Sequence, residues 1–302
     1  MDSLTPDSAA WPAPAKLNLM LRIVGRRADG YHLLQTVFQF LDRCDWLWFS
    51  PREDGLIERV GDVIGVPADA DLTVRAARLL QRATANRSGA TIRIAKQLPL
   101  GGGLGGGSSD AATALLALNH YWQTGLTLAE LAELGLRLGA DVPVFVRGRA
   151  AWAEGVGEQL TAIDLGEPWF LVLAPGCHVA TGAIFADPEL TRNSPPIRIS
   201  DFLQGAGGND CESVVYRRYP KVAAAATWLS RYGQARLTGT GACVFAAFPD
   251  RASAGRVLSQ LPPGLTGFIA RGRNRSPSHA RLLRERDYPP EAPRNSWAVA
   301  KR

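Results

Sequence analysis

The feature that most constrains this chain is a run of glycines followed directly by a helix pattern. Six of the seven residues from Gly101 to Gly107 are glycine, and from Ser109 onward apolar side chains recur at helical spacing. Ser108 or Ser109 is predicted to cap that helix, and Asp110 suits the positive end of its dipole. Glycines let an anion approach the backbone closely, and the first N–H groups of a helix point toward it. The stretch therefore predicts a phosphate-binding loop.

Other kinds of glycine-rich segment fit this stretch less well. A Walker-type loop needs a lysine after its second glycine, but the residue after Gly106 is another glycine. The dinucleotide pattern is matched by Gly101, Gly103 and Gly106, yet it must follow a strand directly, and here residues 96–100 intervene. A flexible linker is a further alternative, which the strong helix start immediately after the glycines disfavours.

The composition is that of a soluble globular protein. The 302 residues are 46% apolar and 21% charged, which allows a sizeable core in one or two domains. The formal charge of +6 raises nucleic-acid binding as an alternative. Dispersed arginines more often form a solvated face or attract anionic substrates, so we expect no nucleic-acid partner. The late arginines are Arg271, Arg273, Arg275, Arg281, Arg284 and Arg286.

The cysteines and the N-terminus indicate the compartment. Cys44, Cys177, Cys211 and Cys243 show no paired spacing, so neither a zinc site nor a disulfide framework is expected. The N-terminus lacks the basic and apolar segments of a signal peptide. No apolar run approaches the roughly 18 residues that span a bilayer. We expect free thiols, a cytoplasmic location and no membrane partner.

Alternating polar and apolar side chains predict strands near the N-terminus. Residues 1–11 are predicted to be a loose leader, and residues 15–24 a half-buried strand that places Lys16 and Asn18 on one face. On the pattern alone, Lys16 is an ordinary exposed strand residue. A turn-rich loop then leads into two further predicted strands, at residues 34–41 and 46–49.

Helical periodicity alternates with strand patterns through the rest of the chain. Helices are predicted at residues 72–85 and 128–138, and Asp141 before Pro143 reads equally well as a helix cap or as a functional acid. On its own, Phe185 reads as a core residue, and the glycine turn at residues 237–246 as a hairpin bend. Two more segments are predicted as a strand at 169–175 and a disordered, proline-containing tail from about residue 286.

Two sets of motifs resemble a known superfamily and one of its branches. Pro-x3-Gly-Leu-Gly-x2-Ser-Ser, from Pro99 to Ser109, resembles the ATP loop of the galactokinase, homoserine kinase, mevalonate kinase and phosphomevalonate kinase superfamily. The segment from Pro14 to Leu19 and the Asp-Gly-Tyr-His at residues 29–32 are similar to the 4-diphosphocytidyl-2-C-methyl-D-erythritol kinase branch. Gly-Ala-Asp-Val-Pro around Asp141 also matches that branch.

The resemblance implies roles for the matching residues. Asp141 and Lys16 are implied as catalytic residues, the aspartate as general base. The implied ATP-binding residues are Lys96, Pro99, Gly101, Gly102, Gly103, Leu104, Gly105, Gly106, Gly107, Ser108 and Ser109. The implied acceptor-binding residues are Asn18, Tyr31, His32, Phe185, Thr240 and Gly241, of which Tyr31, His32 and Phe185 would read the cytosine. No residue is assigned to a metal.

One position departs from the branch. Its members often carry Asp-Asn-Leu at the start of the first helix, where the asparagine helps to hold adenine. Asp71 stands at that place here. Because an aspartate cannot donate an amide hydrogen bond, the resemblance leaves adenine recognition at this position in doubt.

The resemblance also implies the fold and the reaction. The expected fold is α+β with two lobes: an N-terminal lobe at residues 1–160, similar to domain 2 of ribosomal protein S5, and a C-terminal α+β lobe at residues 161–285, before a tail at residues 286–302. The implied reaction phosphorylates the 2-hydroxyl of a cytidine-diphosphate sugar alcohol with ATP, accompanied by Mg²⁺. The partners expected are these small molecules alone, with the chain a monomer or weak homodimer.

Overall fold

Two long antiparallel strands form the centre of the fold. The computed structural model describes residues 7–61, 63 and 65–287. The strands are β1 (Trp11–Arg26), β2 (His32–Arg52), β3 (Ile57–Val60), β4 (Gly89–Ala95), β5 (Ala151–Glu154), β6 (Gln159–Ala162), β7 (Trp169–Ala174), β8 (Arg236–Leu237), β9 (Val244–Phe248) and β10 (Thr266–Arg273). The helices are α1 (Leu72–Ala83), α2 (Gly106–Tyr121), α3 (Leu128–Leu136), α4 (Val142–Arg147), α5 (Thr181–Phe185), α6 (Ile199–Leu203), α7 (Glu212–Arg218), α8 (Pro220–Leu229), α9 (Arg251–Leu258) and α10 (Pro277–Asp287).

The sheet carries the order β3-β4-β2-β10-β7-β9-β8 among the described residues, with β1 and β5 also paired to β2 and β6 paired to β5. Strand β10 joins the two ends of the molecule, because it pairs with β2 at Gly272 and Arg273 and with β7 along most of its length. The predicted α+β class is therefore built on a mixed, mostly antiparallel sheet.

The structure has an apolar core at each end of this sheet. Helices α1 to α4 pack over the N-terminal strands, and helices α7 to α9 pack over β7 and β9. Helix α10 returns to the first core, where Leu282 is buried. The division into lobes at residue 160 remains a prediction, and β6 spans that position. None of the helices in the described part of the chain is long and apolar enough to cross a membrane.

Two predictions about the N-terminal strands are wrong. Trp11 is fully buried and its Nε1 donates to the Tyr121 hydroxyl at 2.9 Å, so the leader ends before this residue. The strands expected at residues 34–41 and 46–49 are one strand, β2. The polar residues between them do not interrupt it, because buried Asp45 accepts the backbone N–H groups of Gln97 and Leu98.

The helices mostly confirm the periodicity, with one important shift. Helices α1 and α3 lie within the predicted ranges, but α2 begins at Gly106 and its N-cap is Gly105 in the left-handed conformation. Neither Ser108 nor Ser109 caps it, so the cap prediction is wrong. The first N–H groups of α2 are thus left to a ligand rather than to a capping side chain. Helix α10 continues to Asp287, and residues 288–302 of the predicted tail lie outside the described residues.

Candidate active site

A large cavity lies where the N-terminal strands meet the two glycine turns. Its volume is about 910 Å³. Most residues that the sequence assigned to ATP, acceptor or catalysis line it: Lys16, Asn18, Tyr31, His32, Lys96, Pro99, Gly101, Gly102, Gly103, Leu104, Gly105, Gly106, Gly107, Ser108, Asp141, Phe185 and Thr240. Ser109 and Gly241 are not among the lining residues. Ser109 is fully buried in α2, and the Gly241 N–H donates to the Thr238 carbonyl at 2.9 Å.

A buried lysine and a partly exposed aspartate meet in this cavity. Lys16 Nζ lies 3.2 Å from Asp141 Oδ2, and the two side chains are 3% and 35% exposed. Pattern reasoning placed Lys16 at the surface. It is buried because β1 has register shifts on both sides of residues 16–18, which turn this segment toward the glycine loop. Asp141 occupies the N-cap position of α4 but makes no capping bond, so its carboxylate faces the cavity.

Neutral groups hold Lys16 from its other sides. Its Nζ donates to the Gly103 carbonyl at 3.0 Å and to Asn18 Oδ1 at 2.5 Å. Asn18 Nδ2 in turn donates to Thr36 Oγ1 at 2.8 Å, and the Asn18 N–H donates to Thr238 Oγ1 at 3.0 Å. Among the described residues, the ammonium therefore has one anionic partner, the carboxylate that also faces the open cavity.

The glycine loop is fixed against the second glycine turn. The N–H groups of Ala242 and Cys243 donate to the carbonyls of Gly101 and Gly102 at 3.2 and 3.0 Å. Gly103 has φ +74°, and a Cβ there would lie 2.2 Å from the Thr238 carbonyl oxygen. The loop is thus built on close backbone contact that only glycine permits, and it leads into the N-terminus of α2.

Lys96 lies between two buried carboxylates beside this loop. Its Nζ pairs with Asp45 and, at 2.7 Å, with Asp110. Burial opposes the charge of Lys96, but the two carboxylates outweigh it and raise its pKa. Burial, supported by repulsion from Asp45, raises the pKa of Asp110 to about 7 against the attraction of Lys96. Asp110 therefore belongs to this triad rather than acting as the expected partner of the helix dipole.

The Asp110 carboxyl predicts a particular pH dependence of stability. Its pKa in the folded state lies above the ordinary 3.8, so the folded chain keeps a proton that the unfolded chain releases between about pH 4 and 7. The free energy of unfolding should fall as the pH rises through this window, by up to about 1.4 kcal/mol per pH unit. Asp110→Asn should gain stability relative to wild type between pH 5 and pH 8 in urea unfolding curves. Exposed Asp164→Asn should keep the wild-type slope, and the same slope in Asp110→Asn would contradict the assignment.

Part of the cavity lining is aromatic. The rings of His32 and Phe185 stack with centroids 5.0 Å apart and planes at 27°. Burial, then the charges of Arg192 and Arg26, lower the pKa of His32. Tyr31, beside them, is 62% exposed. Rings this close leave no room for a base between them, so a base would have to lie beside or outside the stacked pair.

Asp71 has a structural place in this molecule. Its Oδ1 accepts the Thr73 N–H at 2.8 Å as the cap of α1, and its Oδ2 pairs with Arg59 at 2.6 Å. Both side chains are largely buried, and neither residue lines the cavity. The aspartate therefore stabilises the start of α1.

Two residues to which the sequence analysis assigned no site role support the site from the C-terminal half. Asn209 Nδ2 donates to the carbonyls of Leu237 and Gly239 and so fixes the second glycine turn. Arg192 donates to His32 Nε2 at 3.1 Å. The segment Asn-Asp-Cys-Glu after Gly208 could have indicated Asn209, whereas no pattern in the sequence indicated Arg192.

Comparison with known proteins agrees with this geometry. The chain matches the GHMP kinases N terminal domain over residues 71–149 and the GHMP kinases C terminal model over residues 192–263. It is 58% identical over 266 residues to a 4-diphosphocytidyl-2-C-methyl-D-erythritol kinase of Nitrosococcus oceani, which covers 88% of this chain and 95% of that protein. It is 59% identical over 271 residues to the protein of the same name from Ectopseudomonas mendocina, covering 90% and 93%.

Solved structures give the same result. A crystal structure of 4-(cytidine 5'-diphospho)-2C-methyl-D-erythritol kinase superposes with a TM-score of 0.77 at 31% identity, covering 87% of this chain and 98% of that one. A mevalonate kinase structure superposes with a TM-score of 0.63 at 15% identity, covering 88% and 99%, and shows the shared fold alone.

The N-terminal and C-terminal family models thus match the same class of protein, and residues from both matched ranges line the cavity. The molecule is a small-molecule kinase of the GHMP class. Within that class, the chain belongs to the 4-diphosphocytidyl-2-C-methyl-D-erythritol kinase family. The resemblance, the fold class and the kinase activity expected from the sequence are confirmed.

Proposed function

We propose that this kinase transfers the γ-phosphoryl group of ATP to the 2-hydroxyl of 4-diphosphocytidyl-2-C-methyl-D-erythritol, in the non-mevalonate pathway to isoprenoid precursors. The observation that carries the proposal is the shared cavity of about 910 Å³, which contains a glycine loop, a lysine–aspartate pair and an aromatic face. These are the three parts that a phosphate donor, a hydroxyl acceptor and a pyrimidine require.

Phosphoryl transfer depends mainly on positioning and on charge stabilisation. Residues 101–108 would hold the ATP phosphates through backbone N–H groups of the loop and of the start of α2, with Lys96 and Pro99 beside them. The Ser109 N–H is bonded to the Gly105 carbonyl at 2.8 Å and would not take part. Lys96 is already paired with two carboxylates, so most of the phosphate binding falls to the backbone.

Asp141 is suited to accept the proton of the acceptor hydroxyl. It faces the cavity, makes no capping bond, and lies 3.2 Å from Lys16. The adjacent ammonium would offset charge that develops on the reacting oxygens. Asn18 holds Lys16 in place and would contact the acceptor, as would Thr240, whose hydroxyl lies 2.9 Å from that of Thr181.

Mg²⁺ is proposed to arrive with the nucleotide. The described part of the chain contains no group of three or more potential metal-binding side chains, so a cage made of protein alone does not fit. Magnesium commonly keeps waters and nucleotide phosphates and needs only one or two protein oxygens. Ser108 lines the cavity and could supply one. The ion would neutralise phosphate charge. We further propose a cytoplasmic location and a monomer or weak homodimer.

The cytosine would bind beside the stacked rings of His32 and Phe185, with exposed Tyr31 free to close over it. His32→Ala should therefore raise the KM for the cytidyl substrate at least about tenfold and leave the KM for ATP nearly unchanged. His120→Ala, outside the cavity, is the matched control. Steady-state kinetics with each substrate varied in turn give both constants. An equal rise in the two constants would contradict the cytosine assignment.

The position of transfer tests the reaction itself. After incubation with ATP, ³¹P NMR of the purified product should show one new phosphomonoester, coupled to no proton of an adjacent carbon because the 2-carbon carries no hydrogen. A phosphomonoester on a primary or secondary hydroxyl would contradict the proposed acceptor atom.

A further inference from the structure

One arginine ties together the aromatic face of the cavity. Arg192 is half-buried in the loop after α5. Its Nη2 donates to the carbonyls of Phe185 and Asp187 at 2.9 and 2.6 Å, and its Nη1 donates to the Leu190 carbonyl at 3.0 Å. Its Nε donates to His32 Nε2 at 3.1 Å. A single planar group therefore fixes the loop behind Phe185 and the ring stacked on it.

The contact to His32 decides where the imidazole carries its proton. A guanidinium has donors and no acceptor, so the Nε2 atom that it contacts must present a lone pair. The ring is then neutral with its proton on Nδ1. The two cations that lower the pKa of His32, Arg192 and Arg26 at the end of β1, act in the same direction as burial and favour this neutral form.

The Nδ1–H group is left for a ligand. Among the described residues, no protein group makes a hydrogen bond with His32 Nδ1, and the side chain lines the cavity. Cytosine presents a hydrogen-bond acceptor at N3, whereas uracil presents an N–H at the same position. A fixed donor at Nδ1 complements cytosine and opposes uracil.

We propose that Arg192 is a positioning residue that makes the site select cytosine over uracil by holding His32 in the Nδ1–H form. This proposal rests on the proposed function, in which His32 faces the base of the substrate. Without Arg192, the imidazole can carry its proton on Nε2, and Nδ1 then accepts the N3–H of uracil. The preference for cytosine over uracil would then be lost, because it depends on one polar atom of the site forming a hydrogen bond with the base.

Kinetics with two substrates test the selection. The substrates are the cytidine diphosphate ester and the same ester carrying uridine, each with wild type and Arg192→Met. The wild type should prefer the cytidine form by kcat/KM, and Arg192→Met should reduce that preference at least about tenfold, with the KM for ATP unchanged. Arg22→Met is the matched control, because Arg22 donates to the Pro195 carbonyl at 2.9 Å in the same segment without touching His32. An unchanged preference in folded Arg192→Met, or an equal loss in Arg22→Met, would overturn the proposal.

A spectroscopic measurement reads the tautomer independently of turnover. Long-range ¹H–¹⁵N NMR of the wild-type protein, assigned with His32→Gln, should show a protonated Nδ1 and an unprotonated Nε2 at His32. A proton on Nε2 in the wild type would overturn the proposal even if Arg192→Met failed to fold. A failure of the proposed function would give a different result from a failure of the Arg192 proposal. Wild type would then turn over neither ester, while the NMR spectrum would still report the tautomer of His32.

Discussion

Asp141→Asn is expected to lower turnover at least about 10²-fold while the KM for each substrate changes by less than about threefold. The amide has the size of the carboxylate but cannot take the hydroxyl proton. The fold should be kept, because Asp141 makes no capping bond and Lys16 retains Gly103 and Asn18 as partners. Single-turnover rates with saturating substrates measure the chemical step directly.

A second cavity carboxylate serves as the matched control for Asp141. Asp29 lines the same cavity but pairs with Arg27 at the surface, 2.8 Å away. Asp29→Asn should turn over at nearly the wild-type rate. If Asp141→Asn also turned over at nearly the wild-type rate, Asp141 would not be the base. Its ion pair with Lys16 would then have only a structural role.

Gly103→Ala is expected to abolish most activity and to destabilise the fold by about 2 kcal/mol or more. The backbone at Gly103 has φ +74°, and the added Cβ would lie 2.2 Å from the Thr238 carbonyl oxygen and 3.1 Å from that of Gly241. Neither backbone group can give way without moving the second glycine turn. The Gly103 carbonyl also accepts from Lys16, so the displacement reaches the catalytic pair.

Gly107→Ala is the matched control for Gly103→Ala. It replaces a glycine of the same loop without placing a Cβ against the backbone of another segment. Gly107 has no positive φ, and a Cβ there would make an ordinary contact, 3.6 Å from a Leu72 methyl. Urea unfolding should place Gly107→Ala close to wild type and Gly103→Ala well below it. Equal stabilities for the two variants would show that the loop is not fixed by its contact with Thr238.

Contiguous motifs made much of the site predictable from sequence. The glycine loop, Asp141 with its proline, and the Tyr31–His32 pair are each coded within a few residues, and these segments line one cavity. The helix periodicity was equally local, so α1 and α3 were predicted well.

Features that depend on distant partners could not be predicted in this way. The alternation of β1 suggested an exposed Lys16, but register shifts and the approach of Gly103 bury it. The polar residues within β2 suggested a break, which the partners of Asp45 remove. Arg192 contacts a ring 160 positions away, and no local pattern carries that information.

The central claim is tested most directly by ADP release with four acceptors offered in parallel. Wild-type protein with ATP and Mg²⁺ would receive 4-diphosphocytidyl-2-C-methyl-D-erythritol, mevalonate, homoserine or galactose. The geometry and the family membership predict turnover with the cytidyl substrate alone. Turnover with another acceptor in its place would contradict the account, as would silence with all four from well-folded protein.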